Sequence, residues 1–220
     1  MTLTVHEHPF AAYCWKVLIA LYERDVPFER RFIGDEADRK QLAELWPMAG
    51  MPVLVDDAAR VTLPESTIIV EYLDRYGEAP ALVPVDPAGA LQTRLWDRVL
   101  DTYVMTPMQK IVGDSLRPEG RNDPEGVAQA RVMLDSAYAL LDSRLADRGW
   151  VAGDEFTLAD CAAAPALFYA RVVNRWDEDD RANLTRYYAA LEDRASVARV
   201  IDEAREYRAL FPLPWPDYAG

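Results

Sequence analysis

Apolar and polar positions alternate in short runs over the first third of the chain. Leu3–His6 is a brief β-prone run that ends before Pro9. Val17, Leu18, Ala20 and Leu21 then fall at helical spacing and predict a helix over Tyr13–Glu23. Phe28–Ile33 predicts a second strand, and Asp35–Trp46 a second helix with Leu42 and Leu45 on one side. Pro52–Val55 and Arg60–Leu63 read as two strands joined around Asp56-Asp57. Glu65–Tyr76 predicts a third helix whose buried face carries Ile68, Ile69, Tyr72 and Leu73. The order βαβαββα implies a parallel strand pair followed by an antiparallel edge.

The pattern changes near residue 80. Gly77–Ala90 holds Pro80, Pro84 and Pro87 and has the composition of a linker. Beyond it only helical periodicity remains. The predicted helices are Leu91–Leu116, Gly126–Leu145, Thr157–Val172, Ala182–Glu192 and Ser196–Leu210. Pro107 is expected to bend or break the first of these, because it removes an amide donor and crowds the preceding turn. The proline-rich tail Phe211–Gly220, with Trp215, is expected to pack as an extended strap. The expected organisation is an α/β domain over residues 1–78, a linker over 79–89, and an all-helical domain over 90–220 that ends in the strap.

Composition narrows the function. The chain has 220 residues and a formal net charge of −13, which disfavours nucleic-acid binding through a general basic surface. Two cysteines, Cys14 and Cys161, make no disulfide framework and suit a reducing compartment. The first ten residues lack a basic-then-apolar leader pattern, and no apolar run reaches the length of a membrane span. A cytoplasmic protein with no membrane partner is the expectation.

Local patterns suggest where chemistry sits. In Gly50-Met51-Pro52-Val53-Leu54 a proline opens a strand; a cis Met51–Pro52 bond would turn the Met51 backbone outward to pair with an extended peptide, whereas the commoner trans bond would be plain strand entry. Pro64-Glu65-Ser66-Thr67 precedes a helical run. The free amides and hydroxyl at Ser66 suit a carboxylate, and Glu65 an adjacent ammonium, although helix capping explains the same residues. Phe156-Thr157-Leu158-Ala159-Asp160 reads as a capping box, with Phe156 stapled to Cys161, and is a folding signal. His6 and His8 share a strand face, but no further Cys or His pattern accompanies them, so no metal is expected. Arg94, Asp97, Arg98 and Asp101 read as a solvated or dimer-facing stripe.

Taken together these segments resemble the soluble glutathione S-transferase family, as a bacterial-like member, and the resemblance spans nearly the whole chain. Cys14-Trp15-Lys16-Val17-Leu18-Ile19-Ala20-Leu21 is similar to the family's first helix, Pro47–Leu54 to its cis-proline segment, Leu63–Ile69 to its γ-glutamyl site, and Phe156–Asp160 to its capping box. The resemblance implies a thioredoxin-like amino-terminal domain, an all-helical carboxyl-terminal domain and a homodimer. It implies glutathione as co-substrate, with Met51 and Pro52 pairing its cysteinyl part and Glu65 and Ser66 holding its γ-glutamyl end. A small apolar electrophile would be the second substrate.

One part of the family pattern is missing. The Ser- and Cys-type branches carry their thiolate-stabilising donor where this chain has Ala11. The substitutes are the Tyr13 hydroxyl, the Cys14 thiol, His6 at the end of the first strand, and the amides of the first helical turn. Tyr103, Met105 and Met108 are candidates for the acceptor pocket. The implied activity is transfer of glutathione to an electrophile. The alternatives are a non-catalytic glutathione-binding protein, which Ala11 favours, and a glutathione-dependent isomerase, peroxidase or lyase.

Overall fold

The computed structural model describes residues 3–214 and 216. The first part runs β1 (Leu3–Glu7), α1 (Ala12–Glu23), β2 (Phe28–Phe32), α2 (Glu36–Leu45), β3 (Val53–Asp56), β4 (Val61–Leu63) and α3 (Ser66–Leu73). The strands form one sheet in the order β2-β1-β3-β4. β1 pairs parallel to β2, with Leu3 opposite Phe28, and antiparallel to β3, with His6 opposite Val53. β3 and β4 are antiparallel. This is the expected βαβαββα arrangement of the thioredoxin-like type. Edge strand β2 is largely exposed and carries Glu29, Arg30 and Arg31, charges that discourage pairing with another chain.

α1 is buried all round from Cys14 to Leu21, the mark of a helix enclosed by protein. It packs on α3 on one side and on α7 and α9 on the other. The sheet half and the helical half therefore share one apolar core.

The helical half contains α4 (Pro87–Leu100), a π-helical turn (Asp101–Met105), α5 (Thr106–Ser115), α6 (Pro124–Arg144), α7 (Leu158–Val173), α8 (Ala182–Glu192) and α9 (Ala195–Arg205), then a short 3₁₀ turn (Arg208–Leu210). Its starts are written in the sequence. Asp86 accepts from the amides of Ala88 and Gly89 before Pro87 opens α4, and Asp123 does the same for Gly126 ahead of Pro124. These pairings satisfy amides that have no partner within the helix.

The expected break at Pro107 moves upstream. The helix continues through Asp101–Met105 by widening into a π-turn, and the Thr106 hydroxyl donates to the Asp101 carbonyl at 3.0 Å. Pro107 lies in the first turn of α5, where the widened turn has already displaced the hydrogen-bond ladder.

The Thr157–Asp160 capping box is present, with the Thr157 amide donating to Asp160 at 2.8 Å. Asp160 also accepts from the Val151 amide at 3.0 Å and the Tyr187 hydroxyl at 2.6 Å. One buried carboxylate thus ties α7 to α8 and to the preceding loop. Phe156 meets Trp150 edge-on and lies under the Arg194 guanidinium, 3.9 Å from the ring centre. Phe211, at the start of the tail, packs on Phe10 and Tyr169. The expected strap's Trp215 and residues 217–220 lie outside the described residues.

Candidate active site

A cleft of about 610 Å³ opens between the sheet half and the helical half. One wall is the loop before β3. Ala49 adopts a positive φ of 51°, the Met51–Pro52 bond is cis, and β3 begins at Val53. Among the described residues the Met51 N–H and C=O have no backbone partner. They are free to pair with an extended peptide as an added strand would.

The floor is the start of α3. Glu65 sits at φ 68°, ψ 109°, a left-handed conformation that costs a residue with a side chain on the order of 1–3 kcal/mol. The first bond of the helix runs from the Ile69 amide to the Glu65 carbonyl. The amides of Ser66 and Thr67, with the positive end of the helix, are therefore available to an anion. Ser66 is buried and lines the cleft beside Glu65.

Tyr13, from the first turn of α1, faces this cleft across from Met51 and Ser66. Burial, followed by the charge of Asp101, pushes its hydroxyl up to about 12. Tyr13 is thus a neutral phenol across the ordinary pH range, with a proton to donate. The fourth wall comes from the bent helix and supplies Arg98, Asp101 and Thr106. Arg98 and Asp101 lie 3.7 Å apart.

Beneath the cleft lies a buried charge cluster. The Lys16 ammonium donates to the Thr67 hydroxyl at 2.8 Å and pairs with Asp97, and it lies 3.5 Å from Asp101. Thr67 in turn donates to Asp97 at 2.8 Å. Lys16 and Asp97 are each 1% exposed. Burial raises the Asp101 carboxyl, with Lys16 opposing that rise and Asp97 adding to it. The cluster joins α1, the first turn of α3 and α4, and so fixes the cleft floor to its helical wall.

This corrects the reading of Arg94–Asp101 as a solvated stripe. Arg94 and Arg98 are exposed, but Asp97 and Asp101 turn inward to Lys16. A lysine inside the apolar run Cys14–Leu21 was the available signal, since a buried ammonium demands acidic partners. Trp46 and Thr106 are cleft residues that the sequence pattern did not single out, and Arg98 and Asp101 ones that it read as part of the stripe.

The remaining candidates divide. Met51, Pro52, Glu65, Ser66 and Tyr13 meet in the cleft. Cys14 does not: it is fully buried, facing the core from the same turn, and burial pushes its thiol well up, so it is a packing residue. Tyr103 lies on the outer face against α6, half exposed, and Met105 is in the core. Residues two apart on a helix point to nearly opposite sides, so these two do not share a wall. Of the three, Met108 lines the apolar cavity of about 300 Å³ that it shares with Ala11, Ala12, Val112 and Tyr169. His6 pairs within the sheet between Arg31 and Val53, and His8 stacks on Phe32. Among the described residues no group of three or more His, Cys, Asp or Glu side chains is arranged to hold a metal ion. No described helix is long and apolar enough to cross a membrane.

Residues 5–89 match the family described as "Glutathione S-transferase, N-terminal domain", and residues 124–190 match "Glutathione S-transferase, C-terminal domain". Glutathione S-transferase GstB of Escherichia coli K12 is 31% identical over 192 residues, covering 84% of this chain and 91% of the relative. A glutathione S-transferase from Methylobacillus flagellatus KT, solved with GSH bound, superposes with a TM-score of 0.82 at 26% identity, covering 90% of this chain and 98% of that one. A second, from Methylobacterium radiotolerans in complex with glutathione sulfonate, gives 0.79 at 28% identity, with coverages of 91% and 94%.

Proposed function

The chain belongs to the glutathione S-transferase family, and from that membership we propose that it transfers glutathione to a small apolar electrophile in the cytoplasm. The observation that carries the reading is the meeting, in one cleft, of the free Met51 backbone beside cis Pro52 with Glu65 and Ser66 at the mouth of α3. Glutathione is a peptide with a carboxylate and an ammonium at its γ-glutamyl end. Met51 would pair with the cysteinyl backbone, the Ser66 amide and hydroxyl would hold the γ-glutamyl carboxylate, and Glu65 its ammonium.

This pose directs the thiol toward the start of α1. The thiolate, not the thiol, attacks electrophiles. Tyr13, held as a phenol, donates a hydrogen bond to the sulfur anion, and the unpaired amides of the first turn of α1 add to it. The sulfur then forms its bond to the electrophile, whose leaving group departs with the electron pair. The apolar cavity beside Ala11 and Met108 receives the acceptor.

Calorimetric titration with glutathione, and conjugation of a panel of electrophiles, test the reading. Tyr13→Phe should lower kcat with little change in glutathione affinity; an unchanged kcat removes the phenol as donor. Glu65→Ala with Ser66→Ala should abolish glutathione binding in a protein that still melts cooperatively. Ala11 favours one rival, a glutathione-binding protein without turnover, and titratable binding with no conjugation of any electrophile would establish it. A homodimer fits the exposed Tyr103, Val132, Met133 and Leu140 around a shallow hollow on α6. Light scattering after gel filtration should then give twice the chain mass.

A further inference from the structure

Ala11 gives the start of α1 no side-chain donor, and the cleft offers a further hydroxyl from its helical wall. Thr106, the first residue of α5, lines the cleft together with Tyr13, Met51 and Ser66 and is exposed to solvent. The glutathione reading leaves it without a task.

Its place along the wall follows from the charge cluster beneath. Lys16 ties Asp97 and Asp101 to Thr67, so that stretch of the wall stands beside the first turn of α3. Thr106 comes five residues after Asp101, roughly 7 Å further along the helix at about 1.5 Å per residue. A γ-glutamyl carboxylate held at Ser66 puts the cysteinyl residue a comparable distance away, because the γ-linkage adds two methylenes to one extended residue of about 3.5 Å. The acceptor side agrees. Ala12 and Met108 line the apolar cavity, while Tyr13 and Thr106, close to them on the same two helices, line the cleft.

The hydroxyl is also free to change partner. It donates to the Asp101 carbonyl at 3.0 Å, and the π-turn already supplies that carbonyl with the Thr106 amide. Turning the hydroxyl toward a ligand therefore strands no backbone group. The other aliphatic hydroxyls of the cleft are committed. Thr67 donates to Asp97 and accepts from Lys16, and Ser66 serves the γ-glutamyl end.

We propose that Thr106 is a catalytic residue, whose hydroxyl donates a hydrogen bond to the glutathione sulfur from the helical wall and takes the place of the donor missing at Ala11. The thiol proton passes to water. The hydroxyls of Tyr13 and Thr106 then hold the sulfur anion until its electron pair forms the bond to the acceptor. A donor to the charged form lowers the pKa of a thiol, and it is worth more in a cleft that excludes water. This rests on the transferase reading for the position of the sulfur.

Thr106→Val removes the hydroxyl and keeps the branched shape, whereas Thr106→Ser keeps the hydroxyl. The ultraviolet absorbance of the bound thiolate, titrated against pH, reads the sulfur directly, and calorimetry reads affinity. In Thr106→Val the thiolate transition should move about one pH unit higher, conjugation at pH values below it should fall about tenfold, and glutathione affinity should stay within about twofold. Thr106→Ser should stay close to the wild type. An unmoved transition in Thr106→Val, or a serine variant that behaves like the valine one, overturns the proposal. A lower rate with an unmoved transition also overturns it and assigns the hydroxyl to the acceptor. A wild-type chain that binds no glutathione removes the transferase reading and the proposal together, whereas wild-type binding with an unmoved transition removes the proposal alone.

Discussion

Replacing Lys16 by Met tests the cluster under the cleft most directly. Methionine has nearly the volume of the lysine stem, so no large cavity opens and the change is electrostatic. It leaves Asp97, 1% exposed, and Asp101, 9% exposed, facing each other without a cation. Removing one partner from a buried ion pair costs about 3–5 kcal/mol, far more than an exposed bridge is worth. For a chain of this size that corresponds to a fall in Tm of roughly 10 °C. The loss must also depend on pH. The folded-state carboxyl of Asp101 is already raised, by burial above all. Such a group favours the fold below its unfolded pKa, and that contribution fades as pH rises through the folded value. Losing Lys16 removes the charge that opposes the rise and so extends it. The destabilisation should therefore be larger at pH 8 than at pH 5, each unit of further rise being worth about 1.4 kcal/mol. Urea unfolding at both pH values measures this. Adding Asp97→Asn and Asp101→Asn should restore much of the stability by removing the uncompensated charge. A loss below about 1 kcal/mol, or one equal at the two pH values, would refute the view that Lys16 is the counter-ion binding the two halves.

Ala11 caps α1 in an extended conformation with no side-chain bond. Ala11→Ser should stabilise the chain by about 0.5–2 kcal/mol in thermal melts and raise conjugation at least tenfold; a variant that is more stable but no faster would leave Tyr13 or the α1 amides as the operative donor. Glu65→Gly relieves the left-handed backbone at that position. A gain of about 1 kcal/mol together with a tenfold loss of glutathione affinity is expected, and calorimetry showing unchanged affinity would clear Glu65 of the ammonium role. Thr157→Ala should cost about 0.5–2 kcal/mol in urea unfolding. Asp160→Ala should cost more, because it strands the Val151 amide and the Tyr187 hydroxyl as well.

The order of elements was legible because each carries a local signal: the period of its apolar residues, a capping Asp or Thr, a proline at a helix start. The cleft residues from the sheet half were legible for the same reason, since Met51-Pro52 and Glu65-Ser66 are contiguous motifs. What the sequence hid is what depends on two distant segments. Asp97 and Asp101 look like surface residues until Lys16, about eighty positions earlier, is brought beneath them. Tyr103, Met105 and Met108 read together as pocket candidates by residue type within one long helix, and no propensity announces the π-turn in which the first two lie. Cys14 stands next to Tyr13 in sequence, but on a helix consecutive residues point about 100° apart, and one faced the cleft while the other faced the core.

The widened turn at Asp101–Met105 holds one residue more than a regular helix would need for the same rise. Deleting a single residue there would let the segment relax to ordinary winding and rotate everything from Thr106 to Ser115 by about 100°. Met108 and Val112 would swing off the proposed acceptor wall, while Met51, Glu65 and Ser66, anchored on the sheet half, would stay where they are. A lone codon gained or lost at this bend is thus a means of reshaping the cavity on the helical side without disturbing the cleft wall on the sheet side.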